Sequence, residues 1–335
     1  MTNRSIKPTQ QALVTVQEAI ANALSRDGVA ILPPADVHDT LKLATLLRAP
    51  FSTTMLDPWY NKGVGGVRND YIPYVLGILE RAKEASQHIY LWGFPEIIAP
   101  FVERIPPPLT LVAWLTWYFK NNPSVIRGWR SAQMTCLHLS RLGAKLYVEH
   151  FLNEVQLEKL AEGKLRYMPG PTSVIEDSLL VGFVGRNEQT GHPSQKPVKV
   201  IQRLLMMTTK EGDLVLDPMS GSGTSAEAAR SMGRCAVICD HSEEYTQIAE
   251  KRLKVRRLDV ADEIKAALAA EPMPGLAQWP DVERATTYTG GPGFRAPAAA
   301  NQMAFFEKYD GGGNGSGKAS KATEKKARAC AKSRS

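Results

Sequence analysis

Two hydrophobic periods alternate along the second half of this chain. Val198–Met207 carries apolar residues at helical spacing. Leu214-Val215-Leu216 is an unbroken apolar run ending at an acid, Asp217, which predicts a buried strand. Ser225–Met232 is Ala-rich and predicts a helix. Arg234–Asp240 reads as a second strand closing on an acid, and Ser242–Leu253 as a further helix that Asp240 could cap. This alternation predicts an α/β fold with a doubly wound, mostly parallel sheet.

The first half repeats the strand signal. Ser86–Phe94, Leu109–Phe119 and Met134–Ser140 have the β-branched and aromatic composition of strands, the last two pairing as a hairpin with a terminal antiparallel strand. Before them, Gln10–Ser25 and Val37–Leu47 are helical patterns joined by a kinked link, Gly28–Pro34. Residues 1–50 are therefore expected to be a helical appendage that braces the sheet. Phe151–Glu188 fits neither sheet nor cofactor turn: a polar helix at Asn153–Gly163 gives way to Met168-Pro-Gly-Pro171. Asp259–Asp310, rich in Ala, Pro and Gly, reads as linker.

The turn between the strand at 214–217 and the next helix is Asp217-Pro-Met-Ser-Gly-Ser-Gly-Thr224. Gly221 and Gly223 permit positive φ and close approach of a ligand, and the helix behind them offers unpaired N–H groups. The turn lacks both the Gly-x-Gly-x-x-Gly spacing, since position 226 is Ala, and a phosphate loop's Gly-Lys-Ser/Thr ending. Asp240, at the end of the next strand, is placed to accept two hydrogen bonds from a ribose diol.

Upstream stands Gly191-His-Pro-Ser-Gln-Lys-Pro197. That segment, the helix after it, Gly-Asp-Leu-Val-Leu-Asp-Pro-Met-Ser-Gly-Ser-Gly-Thr224 and the acid at 240 together resemble the amino-methyltransferases of DNA. The resemblance spans about Thr53 to Leu253. It implies a Rossmann-like methyltransferase fold and S-adenosyl-L-methionine as cofactor. It further implies that Asp217, Pro218, Met219, Gly221, Gly223 and Thr224 hold the cofactor, that Asp240 takes its ribose, and that His192, Lys196 and Pro197 close over its methionine part. Met219 stands where the family usually has Phe; both are apolar enough to face an adenine ring.

The family's catalytic signature, an Asp, Asn or Ser followed by Pro-Pro-aromatic, is matched by Asp57-Pro58-Trp59-Tyr60 with Trp in place of the second Pro. An exocyclic amino group is a poor nucleophile because its lone pair is delocalised into the ring. Asp57 and the Pro58 carbonyl can accept hydrogen bonds from it, aim it at an activated methyl group and stabilise developing positive charge. Pro58 also fixes its own φ. Tyr60 is expected to stack on a base flipped out of double-stranded DNA. Trp59, Lys120, Arg127, Arg130 and Arg186 are the expected substrate contacts. Catalytic half first and cofactor half last is the permuted arrangement of one class of the family, and a target-recognition insert at about 151–188 goes with it.

Composition changes the picture in three places. From Gly311 to Ser335 seven Lys/Arg stand against Glu324 alone, so this stretch holds six of the chain's net +7 charges. Residues 311–335 therefore read as a disordered basic arm able to hold DNA or merely to solubilise, appended to a nearly neutral catalytic body at 51–257. Gln302-Met-Ala-Phe-Phe306, in the linker expected at 258–310, resembles the short peptides that dock on bacterial sliding clamps through residues equivalent to Gln302, Phe305 and Phe306; the plainer reading is an apolar patch packing on the body. The four cysteines are scattered, which predicts no metal site and reduced thiols. Leu109–Phe119 is too short to span a membrane and the first residues lack a signal-peptide core, so a cytoplasmic, nucleoid-associated protein is expected.

These readings converge on N6-adenine methylation of DNA, of the restriction-modification type. N4-cytosine methylation, an RNA substrate, and a catalytically weak nucleic-acid-binding protein are the alternatives, the last suggested by Trp59. A homodimer is left open.

Overall fold

A computed structural model describes residues 8–61, 67–122, 125–126 and 128–269. In chain order its elements are α1 (Pro8–Asp27), β1 (Val29–Ile31), α2 (Val37–Leu47), β2 (Phe51–Leu56), α3 (Tyr71–Ala85), β3 (Ser86–Gly93), α4 (Pro95–Ile98) and β4 (Leu109–Tyr118). A small hairpin, β5 (Val125–Ile126) and β6 (Trp129–Arg130), precedes β7 (Gln133–Arg141). Then follow α5 (Glu154–Ala161), β8 (Val174–Glu176), α6 (Val198–Thr208), β9 (Leu214–Asp217), α7 (Thr224–Ser231), β10 (Cys235–Ile238), α8 (Glu243–Leu253) and α9 (Ala261–Ala267).

Eight strands form one sheet in the order β1-β10-β9-β2-β3-β7-β4-β8. Every pairing is parallel except those of β7, which runs against both β3 and β4. This is the expected doubly wound sheet. The antiparallel strand, however, lies inside it rather than at its margin, because β4 passes outside β7 and β8 adds beyond β4.

Helices cover both faces, as a sheet buried on two sides requires. One core joins α1, α2, α3 and α9 to the sheet through Leu13, Leu41, Leu79 and Ile264. The other joins α6, α7 and α8 through Leu204, Leu205, Ala228 and Leu253.

Two expectations are corrected. The amino-terminal segment is not purely a helical appendage: Val29–Ile31 is a fully buried strand on the sheet's edge, with Ala30 beside Val237. Three residues are too few to show a period, and the turn-forming Gly28 before them, at φ 69°, hides the strand in the sequence. The body also runs past residue 257. Val260, Ile264 and Ala267 are buried, and α9 packs on α1, so a linker does not begin at 258. The hairpin of β4 and β7 forms as expected, with Trp117 opposite Met134. The polar helix at 153–163 is α5, with Asn153 and Gln156 closing a reciprocal capping box.

No helix among the described residues is long and apolar enough to cross a membrane. Among them, no three His, Cys, Asp or Glu side chains gather as a metal site would need.

The fold's functional consequence lies in the pairing of β2 with β9. Thr54 aligns with Leu216, so the two parallel strands end side by side and deliver Asp57 and Asp217 to one edge of the sheet. In open α/β sheets that carboxyl edge is where ligands bind.

Candidate active site

A cavity of about 640 Å³ opens at this edge. Its lining includes Asp57–Tyr60 after β2, Trp92 at the end of β3, His192–Lys196 before α6, Asp217–Ser222 after β9, and Asp240 after β10. Residues from both halves of the chain thus share one space.

Within the turn after β9, Gly221 and Gly223 both have positive φ, 49° and 74°. A Cβ on Gly221 would come 2.8 Å from His192 Nε2, so only glycine fits beneath that imidazole. Gly221 N–H donates to Asp240 Oδ2 at 2.8 Å, and Ser242 N–H donates to Asp240 Oδ1 at 2.9 Å. Asp240 therefore ties the turn to the start of α8, where Ser242 is the N-cap. Asp217 accepts from Ser225 Oγ and, at 3.1 Å, from Met219 N–H. Burial outweighs these bonds and pushes its carboxyl up to about 7.

His192 lies edge-on to Tyr245, with ring centroids 4.4 Å apart. Its Nδ1 accepts from Ser194 N–H at 3.2 Å, which leaves Nε2 as the proton-bearing nitrogen. Burial holds its pKa below the usual imidazole range.

The catalytic candidates form a second cluster. Tyr60 Oη donates to Asp57 Oδ1 at 2.9 Å. Lys196 forms an ion pair with Asp57 Oδ2 and donates to Tyr60 Oη at 3.1 Å. Burial, reinforced by the Asp57 charge, drives the Tyr60 hydroxyl well above its ordinary pKa, so it stays a donor. Its ring meets Phe94 edge-on at 5.0 Å rather than standing free. Trp59, the departure from the family pattern, lines the cavity while its ring packs against Tyr71 and Tyr74 at 5.4 and 5.7 Å. Tyr71 Oη donates to the Trp59 carbonyl at 2.8 Å. The indole thus anchors the loop to α3, supplying by packing the stiffness a second proline would supply by its ring.

The remaining expected residues are more dispersed. Pro58, Pro218, Met219 and Thr224 line the cavity, whereas Pro197 caps the start of α6. Lys120 is exposed and paired with Glu176 at 2.6 Å. Arg130 is exposed on β6, and exposed Arg186 stacks over Phe183 with its guanidinium 4.9 Å from the ring centroid. None of these three lines the cavity. Arg127, the clamp-like Gln302, Phe305 and Phe306, and the basic arm at 311–335 lie outside the described residues.

Several contributors carried no local signal in the sequence. Asp36, N-cap of α2, lines the cavity from the amino-terminal segment. Trp92 reaches it from β3, and its buried Nε1 has no hydrogen-bond partner among the described residues. Arg252 on α8 donates to Thr224 Oγ1 at 2.8 Å and sits 3.5 Å from Glu188. A charge in a helix tail ordinarily reads as solvated surface, and only folding brings this one under the glycine turn.

The overall arrangement matches solved methyltransferases. The M1.HpyAVI complex with SAM aligns with a TM-score of 0.52 at 21% identity, covering 68% of this chain and 100% of that one. PvuII DNA methyltransferase, described as cytosine-N4-specific, aligns at 0.50 and 16%, covering 73% and 96%. At such identities the likeness defines the fold: this is a Rossmann-like methyltransferase fold. A family model described as DNA methylase matches residues 110–251. Type II methyltransferase M.HpaI of Haemophilus parainfluenzae is 29% identical over 143 residues, 42% of this chain and 44% of its own. M2.DpnII of Streptococcus pneumoniae is 46% identical over 63 residues, 19% and 24% of the two chains. The matches thus span less than half the length of these curated relatives. Asp57–Tyr60 lies upstream of the family match.

Proposed function

We propose that this chain transfers a methyl group from S-adenosyl-L-methionine to an exocyclic amino nitrogen in DNA, adenine N6 in the first instance. The observation that carries the proposal is the meeting of Asp57 and the Asp217–Thr224 turn on one cavity, delivered by the adjacent strands β2 and β9.

The residues present fit the cofactor. The Gly221 cradle leaves no room for a side chain. Asp240 stands at the ribose position of a doubly wound sheet. Asp217 is a buried carboxylate whose charge a cationic ligand would compensate. Bound there, the cofactor supplies a methyl group activated on a sulfonium. The protein's part is positional: Asp57 and the Pro58 carbonyl accept hydrogen bonds from the target amino group and offset its developing positive charge. Asp57 keeps this capacity although Tyr60 and Lys196 already bond it, because an ionised carboxylate has about four acceptor positions.

The Asp before Pro58 supports adenine, as the family resemblance implies. Cytosine N4 is the second reading, supported by the fold's likeness to a cytosine-N4-specific enzyme. The anchored Trp59 argues against an inactive relic. Double-stranded DNA with the target base flipped is the proposed substrate, contacted by Lys120, Arg130 and Arg186, with the protein in the cytoplasm.

The test is transfer of labelled methyl to unmethylated genomic DNA, followed by nucleoside mass spectrometry. N6-methyladenine supports the proposal and N4-methylcytosine moves it to the second reading. Cofactor binding with no label in DNA overturns it.

A further inference from the structure

The 191–197 segment, expected to close over the cofactor, sends its one ammonium elsewhere. We infer that Lys196 is a positioning residue for Asp57, and that it joins the cofactor half of the site to the catalytic half. The inference rests on the methyltransferase reading above.

Both hydrogen-bond partners found for Lys196 Nζ belong to the catalytic loop: Asp57, 139 positions away in sequence, and Tyr60 at 3.1 Å. Tyr60 in turn bonds the other Asp57 oxygen at 2.9 Å, which closes a three-membered ring of polar contacts. The lysine side chain is 4% exposed and the aspartate 28%. Trp92 backs the ammonium, its ring centroid 4.8 Å from Nζ. A buried ammonium is costly unless paired, so this geometry holds the carboxylate in one orientation. Pairing also matters for the cofactor. A bare ammonium in this cavity would repel a sulfonium, whereas the Lys196–Asp57 pair is neutral as a unit.

The backbone that carries Lys196 is itself fixed. Thr190 N–H and Oγ1 both donate to Gln195 Oε1, at 2.9 and 2.7 Å. Gln195 Nε2 donates to the Glu188 carbonyl at 2.8 Å, and Val198 N–H donates to Glu188 Oε1 at 2.7 Å. Glu188 reaches Arg252, which bonds Thr224 at the end of the glycine turn. Polar contacts therefore lead from the cofactor turn through Arg252 and Glu188 to Gln195, the backbone neighbour of Lys196, whose ammonium pairs with Asp57.

The experiment compares wild type with K196M, K196R and K196A. Cofactor Kd is measured by calorimetry, and kcat and KM by methyl transfer to DNA. K196M should leave cofactor Kd within about threefold while lowering kcat on the order of 10²-fold, the scale of a misplaced catalytic group. K196R should recover part of kcat, and millimolar ethylammonium should recover part of it in K196A. A rise of about tenfold or more in cofactor Kd with kcat unchanged at saturation would make Lys196 a cofactor ligand and overturn the inference. No change in either would overturn it too. A double-mutant cycle of K196M with D57N, read on the unfolding equilibrium, stands apart from activity. Coupling of about tenfold supports the pairing, and coupling below about twofold refutes it. Failure of wild type to label DNA would count against the methyltransferase reading; the cycle would still decide the Lys196–Asp57 link.

Discussion

Replacing Asp217 with Asn should stabilise the cofactor-free protein at alkaline pH while weakening cofactor binding. Burial pushes the Asp217 carboxyl up to about 7, against the bonds from Ser225 and Met219. In the unfolded chain an aspartate titrates near about 3.9. Between those values the native state keeps a proton that the unfolded chain has released, so stability falls as pH rises from about 4 through about 7. At about 1.36 kcal/mol per pH unit, the buried charge costs on the order of 4 kcal/mol at pH 8 and on the order of 1 to 2 kcal/mol at pH 5. Asn does not titrate, and its amide can still accept from Met219 and donate to Ser225. Urea denaturation of both proteins from pH 5 to pH 8 should therefore show wild type losing on the order of 2 to 3 kcal/mol relative to D217N. Titrating groups not coupled to Asp217 are common to both proteins and cancel in the difference. Parallel pH profiles, or a variant penalised most at pH 8, would refute the reasoning. Calorimetry on the same samples should show D217N binding S-adenosyl-L-methionine far more weakly, which would mark Asp217 as a carboxylate kept at a cost to stability because a ligand needs it.

Asp57→Ala should abolish methyl transfer and, by baring the Lys196 ammonium, also weaken cofactor binding; full activity in this variant would remove Asp57 from the mechanism. Gly221→Ala sets a Cβ 2.8 Å from His192 Nε2 at a φ of 49°, so cofactor affinity measured by calorimetry should drop at least tenfold. The third test concerns a buried imidazole pair under the sheet. His138 Nε2 lies 3.3 Å from His88 Nδ1, and His88 Nε2 lies 3.0 Å from the Lys145 carbonyl. Burial holds these two histidines down at about 3 and about 4, so both are neutral when folded. The stability they permit is complete above about pH 6.5 and is lost as pH falls toward 4 and 3, because only the unfolded chain takes up the protons. The urea midpoint of H88Q/H138Q should be flatter over that interval than that of wild type; identical slopes would show that the pair does not titrate this way.

Some of this protein was present in local sequence. The helix at 198–208, the strand ending at Asp217, the turn with Gly221 and Gly223, and the acid at 240 stand where their periodicity and backbone needs put them. Each depends on contacts within a few residues: a 3.6-residue apolar repeat, a positive φ, a cap. Asp57 was nameable as a candidate only in company: alone, Asp57-Pro58-Trp59-Tyr60 reads as a commonplace turn with an aromatic, and the cofactor motifs downstream are what single it out.

Tertiary structure decided what depends on strand order and helix packing. It made Val29–Ile31 a sheet edge, a role three residues cannot announce. It set β7 inside the sheet, since only the path of β4 and β8 determines which strand is outermost. Trp59 reads as a flaw in a motif until Tyr71 and Tyr74 of α3 are seen to hold its ring. Lys196 reads as part of a cofactor segment until the fold carries its ammonium to Asp57. The physical reason is common to all four. Local pattern specifies which face of an element is apolar and where it stops, whereas the partner of a buried charge or ring is chosen by which elements become neighbours, and in this sheet β2 and β9 become neighbours from opposite halves of the chain.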